Sequence, residues 1–127
     1  MRRARWWLVA VGVALPYLAR LPGGIDWLRQ YTDAGWGGAL LLGGFNAIAW
    51  GAILAISVAY RHAVSVLAPA LAGLVALAGA HAALDLRADA QSAIALVFIP
   101  IYALLPIAIG GVVGWWVDRR LRARGAP

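Results

Sequence analysis

Charged residues along this chain are gathered into short clusters, and the stretches between them show neither the period-two alternation of a half-buried strand nor the 3.6-residue alternation of a surface helix. Residues 38–60 and 93–117 carry no charge, and 63–84 carries only His81. Crossing about 30 Å of hydrocarbon takes roughly 20 apolar residues at about 1.5 Å each. Each of these runs therefore predicts a membrane-spanning helix. A fourth run, 6–21, is broken by Pro16 and Arg20. It covers only about 24 Å as a helix and crosses with snorkelling or local thinning of the bilayer. The competing reading is a cleaved signal peptide, since Arg2, Arg3 and Arg5 precede a short apolar stretch. Cleavage after Ala19 would set bulky Tyr17 where a small residue is wanted, which favours retention.

The expected fold is therefore an all-α membrane protein, a bundle of four transmembrane helices in one integral domain over 1–127, or three if the first segment is removed. Leu21-Pro22-Gly23-Gly24 stops the first helix, and 25–36 suggests a short helix on the bilayer surface with Ile25, Leu28 and Tyr31 on one face. The tight connection Tyr60-Arg61-His62 predicts that the second and third spans pack as an antiparallel hairpin. Asp89 is placed to cap the fourth helix, which Pro100 and Pro106 should kink.

Composition agrees: 64% hydrophobic and 13% charged residues lie outside the range of soluble domains. The net charge of +6 comes from Arg alone, with neither Lys nor Glu present. Its distribution argues against a nucleic-acid partner. Arg2, Arg3, Arg5, Arg61, Arg119, Arg120, Arg122 and Arg124 fall on one side of the predicted topology. Arg20, Arg29 and Arg87 fall on the other, offset by Asp26, Asp33, Asp85 and Asp89. The positive-inside rule then puts both termini in the cytoplasm. Trp6, Trp7, Tyr60, Trp115 and Trp116 sit at that interface, and Trp27, Tyr31 and Trp36 at the other. Abundant Ala and Gly with no Lys suggest a GC-rich bacterial genome, hence a bacterial inner membrane. The absence of cysteine excludes thiolate nucleophiles, iron–sulfur clusters and Cys-ligated zinc.

Polar residues within the spans cluster towards the outer side: Asn46, His81, Asp85, Ser92 and Tyr102, joined by Tyr17. Ionisable groups at membrane depth are costly and suggest a site, here a polar pocket for a proton, ion or small ligand. His81 and Asp85 are four apart, so a continuous helix would let the carboxylate orient the imidazole. A catalytic arrangement of Ser92, His81 and Asp85 lacks the glycine pattern of a nucleophile elbow. His62 and His81, about 28 Å apart along a helix, cannot share one haem iron, so no cofactor or metal is expected.

Small residues recur every fourth position in the second span at Gly43, Ala47, Gly51 and Ala55, with similar spacing in the third span and Gly110 and Gly114 in the fourth. Such faces let helices approach closely in lipid, within the chain or against a partner. Arg119, Arg120, Arg122 and Arg124 suit anionic lipid headgroups or a simple stop-transfer anchor. The stretch Asp89-Ala90-Gln91-Ser92-Ala93-Ile94 through Phe98-Ile99-Pro100-Ile101-Tyr102 resembles segments of small bacterial membrane proteins, a resemblance that implies no activity. The expected function is that of an accessory protein binding another membrane protein. The alternative is a homo-oligomeric channel or transporter working through the polar cluster, and an enzyme is third.

Overall fold

The computed structural model describes residues 1–88 and 91–125, and every regular element among them is helical. The chain runs through α1 (Arg2–Leu18), a 3₁₀ turn (Leu21–Gly23), α2 (Ile25–Thr32), α3 (Gly35–Ser57), a second 3₁₀ turn (Ala63–Val66), α4 (Leu67–Ala83) and α5 (Ser92–Ala123). Four segments are long and apolar enough to cross a membrane: Arg2–Gly23, Gly35–Ser57, Ala63–Ala83 and Ser92–Ala123. Their outward faces are apolar, with Leu40 74%, Val75 67% and Val112 68% exposed. The larger apolar area lies on the outside, the inverse of a soluble bundle. Asp89, expected to cap α5, lies outside the described residues.

α5 is longer than the apolar run alone predicts. It continues through the arginine cluster because Arg is a good helix former and because Arg122 reaches back one turn to Asp118, Nε to Oδ2 3.0 Å. At 32 residues it is about 48 Å long, and it passes unbroken through Pro100 and Pro106.

Lateral order departs from the expected hairpin. α3 and α4 are consecutive but touch each other less than either touches α5. α5 lies along both of them on one side, and α1 packs on both from the other. Small residues explain the preference of α5 for α4. A Cβ at Gly110 would lie 2.7 Å from the Ala68 carbonyl oxygen, and one at Gly114 would collide with Ser65 and Tyr60. Backbone can approach backbone only there. Ile53 of α3 and Ile107 of α5 both rest on Gly73 of α4, and with Leu8, Ala49, Leu77 and Ala103 they form the core.

One end of the bundle holds both termini and the α3–α4 connection. Here Asp118, fully buried, gathers donors on a single oxygen. Arg61 N–H (3.0 Å), His62 N–H (2.9 Å), His62 Nδ1–H (2.9 Å) and the Ser65 hydroxyl (3.2 Å) all donate to Oδ1. The tight connection is thereby pinned to α5 rather than folded back on its own helices. Tyr60 donates to the Gly111 carbonyl at 2.6 Å, and burial together with nearby Asp118 holds its hydroxyl above the usual tyrosine range. Arg5 of α1 donates to the hydroxyl and carbonyl of Ser57, the last residue of α3, at 2.9 and 3.1 Å. A cation there joins the Tyr60 N–H on the Ser57 carbonyl, at the negative end of the helix dipole.

Candidate functional site

The opposite end, called here the far end, collects polar side chains from every long helix but α5. Their placement starts with Pro16. Proline has no N–H, so the carbonyl four residues earlier, that of Gly12, loses its helical donor. Asn46 of α3 donates to that carbonyl from Nδ2 at 3.4 Å. A carbonyl can only accept, so the amide must present its NH₂ to Gly12 and its oxygen to His81 Nε2, 3.0 Å away. The ring therefore carries its proton on Nε2, and Nδ1 accepts from the Tyr31 hydroxyl at 2.8 Å. Tyr31, His81, Asn46 and Gly12 form one directional chain linking α2, α4, α3 and α1. Burial pushes the Tyr31 hydroxyl up to about 12, against the opposing pull of Arg20, so it stays a donor across the physiological range.

Arg20, just past the end of α1, is fully buried without a direct carboxylate partner among the described residues. Its Nε donates to the Trp27 carbonyl at 2.8 Å, and Nη1 donates to the carbonyls of His81 (2.8 Å) and Leu84 (2.6 Å). Nη2 donates to Gln30 Oε1 at 2.8 Å. Its guanidinium also lies against the faces of Trp27 and Tyr31, 4.4 and 4.0 Å from the ring centroids. Partial charges on carbonyls and aromatic faces thus replace the water a cation would otherwise need. Trp27 Nε1–H takes the Ala82 carbonyl at 2.7 Å, so Arg20 and α2 together cap the C-terminus of α4.

This capping explains a departure from the expected geometry. α4 ends at Ala83, and Leu84 is extended with ψ 119°. Asp85 is therefore not on the helical face of His81 and does not orient its ring. Its Oδ1 instead accepts from Gln30 Nε2 (2.9 Å) and from the Arg87 backbone N–H (3.0 Å). Ser92 stands half-buried at the first position of α5. Tyr102 is 74% exposed on the outward face of α5 beside Phe98, away from the cluster. Tyr17 does join, edge-on to Tyr31 at 6.4 Å. Both nitrogens of His81 are engaged, which leaves its ring without a lone pair to serve as a base for Ser92.

α2 forms as a short helix over Ile25–Thr32, but Ile25 and Tyr31 do not share one outward face. Tyr31 is buried and Trp27 and Gln30 turn inward, whereas Ile25 is 63% exposed. Glycines in the left-handed region flank it, Gly24 (φ 94°) and Gly35 (φ 66°), and allow the chain to turn sharply onto and off the bundle end. Beside it, between α3 and α5, lies a groove of about 260 Å³ lined by Leu41, Leu42, Phe45, Leu96 and Val97 under Gln30 and Tyr31. The open space is thus apolar, and the polar groups meet each other instead.

Arg20, Trp27, Gln30 and Tyr31 are the members that sequence reasoning missed. Arg20 was the available signal, an arginine inside an apolar segment four residues after a proline. Of the small-residue face, Gly43 and Gly51 have nothing within 4 Å of where a Cβ would stand, Ala47 is half-buried and Ala55 is exposed. Among the described residues no three His or Asp side chains converge as a metal site would require. Comparison with known proteins gives no match to a family model, a curated protein or a solved structure.

Proposed function

We propose that the chain is a multi-pass protein of the bacterial inner membrane, with both termini in the cytoplasm, that acts by binding another membrane protein as an accessory subunit. The orientation is supported by arginine asymmetry: Arg5, Arg61 and Arg122 gather at the termini end, and the arginines of the first and last helices accompany them. The observation that carries the binding role is the outward α3 face. The close approaches inside the bundle use Gly12, Gly73, Gly110 and Gly114, whereas Gly43 and Gly51 face open space. That leaves a surface on which a second helix can reach the α3 backbone.

A second reading, a homo-oligomeric transporter, draws on the Tyr31–His81–Asn46 chain, whose residue types relay protons in other settings. One experiment separates the two readings: the mass of the complex released from native membranes in mild detergent, with co-purifying proteins identified. The accessory reading expects a stoichiometric foreign membrane protein that is lost in Gly43→Leu/Gly51→Leu, substitutions the open space accommodates. A homo-oligomer without a foreign chain, whose ion uptake depends on His81, would replace it with the transporter.

A further inference from the structure

The four arginines at the end of α5 are not equivalent. Arg122 is drawn onto Asp118, the one acidic side chain among the described residues at the termini end, whose other oxygen is already occupied by the α3–α4 connection. Arg119 and Arg120 are exposed and have no carboxylate or carbonyl partner among the described residues. Each lies over the tryptophan one turn earlier, Arg119 5.4 Å from the Trp115 centroid and Arg120 3.5 Å from that of Trp116. A guanidinium held against an indole face by cation–π attraction keeps N–H groups available to donate. Between the two stacks, over the small side chain of Ala123, is a recess of about 300 Å³.

We propose that this recess binds the phosphate of an anionic phospholipid. Two fixed guanidinium edges match the oxygens of a phosphodiester, and no acidic side chain competes for them. Trp115 and Trp116, 44% and 48% exposed, follow directly on the apolar run of α5, the position where indoles settle at headgroup level. A lipid anchored there reaches the recess with its headgroup while its chains lie along the apolar face of α5 formed by Val112 and Val113. The site rests on membrane insertion and not on the identity of any protein partner.

The test reconstitutes the full chain into nanodiscs of phosphatidylcholine and phosphatidylglycerol in equal parts, extracts it, and counts retained lipids by native mass spectrometry. Phosphatidylglycerol should be retained in preference. Arg119→Gln/Arg120→Gln should lower that preference about fivefold per arginine and about 25-fold for the pair. Trp115→Leu/Trp116→Leu should lower it with charge unchanged. Arg2→Gln/Arg3→Gln, which removes equal charge from the same end outside the recess, should leave it intact. All six side chains are exposed, so the variants keep the fold, and their unfolding midpoints check this. Equal loss in Arg2→Gln/Arg3→Gln would reduce the site to diffuse charge. Absence of any preference in the wild type, or displacement of the lipid by inorganic phosphate, would overturn the proposal. A chain that failed to enter the nanodisc would instead overturn the membrane reading.

Discussion

At the far end of the bundle the buried charge is a cation, Arg20, surrounded by neutral groups: three carbonyls, one amide oxygen and two aromatic faces. At the termini end it is an anion, Asp118, surrounded by backbone N–H groups, a hydroxyl, an imidazole and Arg122. Both solve the same problem, the cost of taking an ionised group out of water. They differ in reach. Asp118 fastens one tight connection to one helix, with exposed Arg61 and Arg122 beside it. Arg20 joins the end of α1 to α2, to the C-terminus of α4 and to the segment after it, and the Tyr31–His81–Asn46 chain extends that connection down to Gly12. The termini end is held by separate fastenings, Asp118 beside Arg5–Ser57 and Tyr60–Gly111, and the far end by a network in which helix order depends on several shared partners.

The largest effect is expected where the network converges. Arg20→Met removes the guanidinium's bonds to the carbonyls of Trp27, His81 and Leu84, while Gln30 Oε1 keeps the Leu86 N–H, and should cost about 3–5 kcal/mol of unfolding free energy in detergent micelles. Arg20→Lys keeps the charge but loses the planar fork and the ring stacking, so it should recover only part of that. Asp118→Asn retains an acceptor for the backbone donors, and a loss of about 1.5–3 kcal/mol is expected by the same measurement.

A pH experiment distinguishes the ends further. The Tyr31 hydroxyl titrates at about 12 in the fold and at 10.0 as a free side chain. Its contribution is therefore fully present below pH 10 and is lost as pH rises towards 12, because the unfolded chain gives up its proton first. Unfolding free energy should fall more steeply with pH in that window for the wild type than for Tyr31→Phe, and parallel curves would count against the buried hydroxyl. The smallest expected effect is pairwise: a double-mutant cycle between Tyr31→Phe and His81→Phe should give a coupling of about 0.6–1.7 kcal/mol.

The long apolar runs made the four helices legible in the sequence, because span length and missing charge follow directly from bilayer thickness. Lateral order was not legible. The tight connection Tyr60-Arg61-His62 suggests a packed hairpin, yet Gly73, Gly110 and Gly114 draw α5 into the closer contact, and nothing in a single sequence ranks these glycines above Gly43 or Gly51. Asn46, His81 and Asp85 were legible as polar residues at one depth. Their partners were not, because Arg20 counts as a topology charge when only its position is known, and Trp27 and Tyr31 count as interface aromatics. The end of α4 at Ala83 depends on donors from α1 and α2, so the helical spacing of His81 and Asp85 gave the wrong neighbour for the imidazole. Tyr102 is on the outward face of α5, away from the cluster.

The central claim is that the buried polar residues of the far end hold the helices together. The unfolding free energy of His81→Phe in detergent micelles tests this most directly, since phenylalanine fills the space of the ring while removing its bonds to Tyr31 and Asn46. A loss of about 1–3 kcal/mol is predicted from two buried polar groups left without partners. Unchanged stability would contradict the account and assign His81 to the movement of a proton or ion instead.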